Sequence, residues 1–106
     1  MKQPNLSIIV LAKNEEKRIA ACIRSVSFAE EVIVIDDNSA DATVAIAQKE
    51  GAIVYTHALS DFASQRNRAL TLARGKWILF VDADEWISDE LRTEIQAIIG
   101  AKKSIL

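Results

Sequence analysis

Four short apolar runs rich in β-branched residues punctuate the chain: Leu6 to Leu11, Val32 to Ile35, Ala52 to Tyr55 and Trp77 to Val81. None alternates strictly with polar residues, so each reads as a strand covered on both faces, the pattern of a parallel sheet between helices. Helical periodicity fills the gaps. Ile19, Cys22, Ile23 and Val26 recur at i, i+3, i+4 and i+7 after Asn14, an N-cap candidate followed by Glu15 and Glu16 at the positive end of a helix dipole. A second helix is predicted from near Asp41 to Gly51, and a third on a face marked by Phe62, Ala69, Leu70 and Ala73, closed by Gly75. Ser88, Asp89 and Glu90 open a fourth, with Leu91, Ile95, Ile98 and Ile99 as its buried stripe.

The resulting order, β-α-β-α-β-α-β-α with short connections and neither repeat nor low-complexity linker, predicts one doubly wound α/β domain with a mainly parallel four-stranded sheet. The first strand is expected between the second and the fourth. Ligands of such sheets bind beyond the carboxyl ends of the strands, where strand order reverses, so the residues just past each strand carry the functional argument.

Those ends are polar and acidic: Lys13, Asn14 and Glu15 after the first run, Asp36, Asp37, Asn38 and Ser39 after the second, Asp82, Asp84 and Glu85 after the fourth. Helix capping accounts for Asn14, Ser39, Asp41 and Ser88. It does not account for Asp36 and Asp37 together. Asp82, Ala83 and Asp84 form a D-x-D triplet continuing the last strand; in extended geometry both carboxylates project to one side, roughly 7 Å apart. Oxygen ligands of this kind suit a hard cation, Mg²⁺ or Mn²⁺, that keeps waters and shares substrate phosphates. The bare triplet is a weak pattern, and its place at the mouth of a buried strand is what raises it.

Composition narrows the picture. The 106 residues, half of them hydrophobic with three Gly and one Pro, fit one globular domain with little room for a second substrate layer. Thirteen basic against fifteen acidic residues leave a net charge of −2, so no nucleic-acid partner is implied. A single cysteine, Cys22, excludes an intrachain disulfide framework and reads as a packed, reduced thiol, consistent with a cytoplasmic setting. Lys2 is followed by Gln3, Pro4 and Asn5 before a six-residue apolar run, which is not a signal-peptide pattern, and no run reaches the ~18 apolar residues of a spanning helix.

Neither G-x-G-x-x-G nor G-x-x-x-x-G-K-[ST] occurs, so phosphates must be met by metal and side chains instead of a glycine-rich loop. His57 lacks triad or metal spacing and reads as a surface or capping residue. Trp77 reads as core; Trp86 reads as core or as lining of a sugar pocket. A phospho-receiver domain would need an Asp after its third strand, where His57 stands, and a phosphatase would carry its D-x-D after the first strand, where Lys13 and Asn14 stand.

The segments Leu6 to Glu16, Val32 to Thr43, Gln65 to Leu70 and Ala73 to Glu85, taken in order, resemble the family 2 inverting glycosyltransferases of GT-A fold. Phe62 to Leu70 and Asp82 to Leu91 are most similar to the subgroup acting on lipopolysaccharide core. The resemblance implies a nucleotide-sugar donor, favouring a UDP-sugar, and a saccharide or lipid-linked acceptor. It casts Asp37 as the carboxylate on the nucleobase, with the Leu11 and Ala12 backbone lining the same pocket. Asp82 approaches the ribose or the metal, across Ala83 from Asp84, which ligates the metal bridging the diphosphate. Asn67 supports the acidic triplet, and Arg66 either neutralises phosphate or is simply solvated.

Inverting transfer also needs a general base for the acceptor hydroxyl, which in that family comes from a later half. The expectation is therefore that residues 1–106 are the nucleotide-sugar-binding part of a truncated GT-A domain, inactive alone and cytoplasmic. Peripheral association would take it to the inner membrane face, and an uncovered sheet edge favours self-association. The competing reading is a nucleotide-binding or assembly module without catalysis.

Overall fold

The computed structural model describes residues 3–58 and 62–100; Lys2 and the side chain of Phe62 lie outside the described residues. Strands β1 (Leu6–Ala12), β2 (Glu31–Asp36), β3 (Ile53–Thr56) and β4 (Trp77–Asp82) alternate with helices α1 (Ile19–Ser25), α2 (Thr43–Lys49), α3 (Phe62–Leu72) and α4 (Asp89–Gly100). The sheet order is β3-β2-β1-β4, and every pairing is parallel. Strand β1 thus lies between β2 and β4, the expected order.

Side-chain alternation along the central strands divides the core in two. Ile8, Val10 and Ala12 of β1 and Val34 of β2 pack with Ile19, Cys22, Ile23, Val26 and Ala47, so α1 and α2 cover one face, joined there by Ile95 and Ile99 of α4. Ile9, Ile33 and Ile35 point the other way, onto Ala69 and Leu72 of α3. Apolar residues at both parities are what a strand covered twice requires, which is why the central runs show no polar alternation.

The edge strands depart from that expectation. Ile53 opens β3 44% exposed and Trp77 opens β4 40% exposed, so the sequence-based placement of Trp77 in the core is incorrect. The α4 stripe is also only half covered: Ile95 and Ile99 pack on the core, whereas Leu91 and Ile98 are 44% and 58% exposed. Leu70, expected on the inner face of α3, is 48% exposed, and Ala69 is the buried residue there. Two adjacent positions on a helix point about 100° apart, so only one of them faces the sheet.

The expected caps are partly corrected. Helix α1 begins only at Ile19, after a turn in which Glu15 O accepts from Arg18 N and Ile19 N, and Asn14 does not cap it. Ser88 does cap α4, its Oγ accepting from Leu91 N at 3.1 Å. Asp41 Oδ1 accepts from Thr43 N at 3.0 Å at the start of α2, and Gly51 ends that helix at φ 94°.

Opposite the polar strand ends, a buried clamp fixes the register of β4 on β1. Glu31, its side chain 3% exposed, accepts from Ser7 Oγ at 2.7 Å, Arg74 N at 2.9 Å and Arg74 Nε at 2.8 Å. Ser7 Oγ accepts in turn from Gly75 N at 2.8 Å. A Cβ on Gly75 would lie 2.6 Å from Ser7 N, so only glycine lets the chain pass this close before entering β4.

Candidate functional site at the carboxyl edge of the sheet

The polar strand ends meet because the ladder continues past them. Asp37 N donates to Ala12 O at 2.9 Å and Ala83 N donates to Leu11 O at 3.0 Å, so the expected site residues Leu11, Ala12, Asp37, Asp82 and Ala83 form one continuous edge. Both β1 carbonyls are thereby occupied. The two consecutive aspartates divide their roles by parity. Asp36 is 1% exposed and holds Ser39, accepting from its N at 2.9 Å and its Oγ at 2.6 Å, while Asp37 is half-buried, its side chain 23% exposed. Ser39 is consequently a loop tie and not a helix cap.

The β1–α1 and β2–α2 loops interlock. Asn14 N donates to Ser39 Oγ at 2.8 Å, Asn14 Oδ1 accepts from Ala40 N at 2.7 Å, and Glu15 N donates to Thr43 Oγ1 at 2.9 Å. Asn14 and Asn38 both adopt left-handed φ, 53° and 49°, a conformation that asparagine tolerates better than most residues. Next to them, Lys13 Nζ lies 3.8 Å from Asp37 Oδ2. Nothing in the linear pattern marks that pair beyond both residues directly following neighbouring strands.

At the end of β4 the D-x-D triplet is not extended as predicted. The chain turns at Ala83 and Asp84, closed by Glu85 N donating to Asp82 O at 2.9 Å, and Glu85 Oε1 folds back to accept from Asp82 N at 3.0 Å. Ala83 is buried, while Asp82, Asp84 and Glu85 are exposed. Although Asp82 is exposed, partial desolvation at the strand end, followed by the charges of Glu85 and Asp84, raises its carboxyl above the ordinary value. The same acids act on Cys22, whose buried thiol donates to Asp82 O at 3.7 Å: burial first, then Glu85, Asp84 and Asp82, push it up to about 11. Three carboxylates, those of Asp82, Asp84 and Glu85, thus lie within four residues at this end of the sheet.

Among the described residues no three His, Cys, Asp or Glu side chains are grouped to hold a metal by themselves. The side chains at this strand end, Asp82, Asp84 and Glu85, offer hard oxygen donors, the kind that Mg²⁺ and Mn²⁺ take together with water and phosphate.

Arg66 and Asn67 are both exposed on α3. The Arg66 guanidinium stacks over the Phe80 ring, 4.9 Å from its centroid, so it is not merely solvated. Alternation puts Phe80 and Asp82 on the same face of β4. Trp86 is 68% exposed beside Ser88 and Arg92. His57 donates its backbone N–H to Asp36 O at 2.8 Å, an extension of the ladder. Among the described residues no helix is long and apolar enough to cross a membrane.

The chain is a doubly wound parallel sheet with acidic residues along its carboxyl edge. Its residues 7–105 match the model of glycosyl transferase family 2, and the chain belongs to that family. A glycosyltransferase of Rickettsia conorii is 41% identical over 97 residues, covering 91% of this chain and 34% of that protein. The chain spans about a third of the length of the Rickettsia relatives it matches.

Among solved structures, S. aureus TarS is similar with TM-score 0.71 and 31% identity, over 91% of this chain and 32% of that one. Glucosyl-3-phosphoglycerate synthase of Mycobacterium tuberculosis in complex with UDP superposes with TM-score 0.70 and 27% identity, over 77% of this chain and 34% of that one. That enzyme has also been solved with Mn²⁺, UDP and glucosyl-3-phosphoglycerate. The α/β sheet is that of the GT-A fold.

Proposed function

We propose that this chain is the donor-binding part of a family 2 glycosyltransferase that takes a UDP-sugar and, in the whole protein, transfers the sugar with inversion to a saccharide or lipopolysaccharide-core acceptor. The observation that carries the reading is the joining of Asp37, Ala12, Leu11 and Ala83 along one hydrogen-bonded edge that ends in Asp82 and Asp84.

In this reading Asp37 accepts a hydrogen bond from the nucleobase, with the Leu11 and Ala12 backbone as the floor of its pocket. Asp82 and Asp84 are the residues that would hold a divalent cation. When bound, that ion supplies Lewis-acid stabilisation of the departing diphosphate. Arg66, stacked beside the same strand, offers a positive charge for phosphate oxygens, and Asn67 supports the acidic turn.

Glu85 is engaged with the Asp82 N–H and is assigned no role as general base. Deprotonation of the acceptor hydroxyl is assigned to residues outside this chain. UDP binding to the M. tuberculosis synthase, and Mn²⁺ in its ternary complex, support the choice of donor and metal.

Calorimetric titration of UDP with and without Mn²⁺ tests the reading. Binding should strengthen with metal and lose that enhancement in Asp84→Ala. Equal UDP affinity with and without metal, or an unaffected Asp84→Ala variant, would refute it.

A further inference from the structure

Lys13 and Asp37 are the first residues beyond β1 and β2, whose final residues Ala12 and Asp36 are register partners. Each is followed at once by an asparagine in the left-handed region, so both strands break sharply just after them. The loops they open are tied by Asn14 N to Ser39 Oγ, by Ala40 N to Asn14 Oδ1, and by Ala42 N to Glu16 Oε1 at 3.1 Å. Buried Asp36 anchors Ser39 from below. The backbone positions of Lys13 and Asp37 are thus set by the fold before any ligand arrives. Between their side chains, an ammonium donor stands 3.8 Å from a carboxylate acceptor. The Lys13 side chain is 62% exposed, which leaves it the freedom to turn toward a neighbouring acceptor.

We propose that Lys13 is a specificity-determining residue which, with Asp37, selects nucleobases carrying a ring N–H beside a carbonyl. The proposal rests on the reading of Asp37 as the nucleobase carboxylate and adds the chemistry of its partner. Uracil offers a ring N–H flanked by carbonyl oxygens: the carboxylate accepts from the N–H while the ammonium donates to the adjoining carbonyl. Cytosine shares the C2 carbonyl and differs at the ring nitrogen and at C4: with Lys13 on the C4 side, its bare ring nitrogen would face the carboxylate and its exocyclic amine would face the ammonium, so both contacts become repulsive. Adenine repeats the cytosine pattern along the corresponding edge. Selection then comes from mismatched polar groups, which discriminate more sharply than shape alone.

The alternative is that Lys13 forms only a surface ion pair, of little consequence for stability or for any ligand. The two roles differ in what they change. A surface pair alters the affinity for all nucleoside diphosphates alike, whereas a base-reading residue alters their ratio.

The test titrates the full 106-residue chain with UDP and with CDP at one fixed Mg²⁺ concentration. Wild type should favour UDP, and Lys13→Met should lower the UDP:CDP preference by roughly five-fold, a charge-assisted hydrogen bond discounted for exposure. The melting temperature should not move, and Lys13→Arg, which keeps a donor, should retain the preference. An unchanged ratio in Lys13→Met, or a wild type with no preference for UDP, overturns the proposal. Asp37→Ala separates the two levels of the argument. If it loses UDP while Lys13→Met keeps the ratio, the base-reading role of Lys13 alone is wrong; if it binds UDP as tightly as wild type, the assignment of Asp37 falls and the proposal with it.

Discussion

Replacing Glu31 with alanine should unfold this domain more easily than a change at any of the exposed acids. The carboxylate is 3% exposed and accepts from Ser7 Oγ, Arg74 N and Arg74 Nε. Truncation leaves the Ser7 hydroxyl and the Arg74 amide without that acceptor in a place water does not freely reach, at ~1–3 kcal/mol for each buried group left unsatisfied. The Arg74 side chain is 62% exposed and returns to solvent, so its share is small. A loss of about 3 kcal/mol is expected, or roughly 15 °C in melting temperature for a domain of this size.

The carboxyl also sets a pH signature. Burial pushes it up, but the hydrogen bonds from Ser7 and Arg74 together outweigh burial and hold it below its ordinary 4.5. The deprotonated form is therefore the one the fold favours. Its contribution is fully present above the unfolded-state value and is lost as pH falls through the lower folded value, so the gap between wild type and Glu31→Ala should narrow in acid. Urea denaturation at neutral pH and across the acid range measures both. A Glu31→Ala variant within about 0.5 kcal/mol of wild type at neutral pH, the range of an ordinary surface change, would refute the clamp.

Two further outcomes follow from neighbouring features. Gly75→Ala must push a methyl against the Ser7 backbone at 2.6 Å and should cost ~1–3 kcal/mol in urea, with β4 displaced and UDP affinity reduced along with stability. Cys22, buried with its thiol pushed up to about 11, should resist iodoacetamide at pH 8 in the folded chain and react promptly in denaturant; mass spectrometry follows the adduct.

The parts of this structure that are legible in the sequence are those governed by local periodicity. The runs at Leu6 and Val32 lie within β1 and β2 because both side-chain parities are apolar, and the run at Ala52 is offset by a single residue from β3. Exposure at Trp77, Leu91 and Ile98 was not legible, since an apolar residue on an edge strand or outer helix has the same letter as one in the core.

Contacts between distant segments were equally hidden. Asn14 and Ser39 look like helix caps when read singly, because the same short polar side chains serve caps and turns, and only the folded chain shows them bonded to each other. Glu31 and Arg74 are ordinary surface letters 43 positions apart. The D-x-D pattern predicts an extended triplet after the last strand, but the chain turns there: the turn at Asp84 depends on Glu85 folding back to the Asp82 N–H, an interaction the pattern does not encode.

The most direct test of the central claim is to map UDP onto the chain residue by residue, following backbone amide signals by NMR as UDP and Mg²⁺ are added. The account expects the largest shifts at Lys13, Asp37, Asn38 and residues 82–85, the carboxyl edge of β1, β2 and β4. Shifts confined instead to the apolar face of Leu6, Trp77 and Ile98, with the strand ends unmoved at saturating UDP, would contradict it.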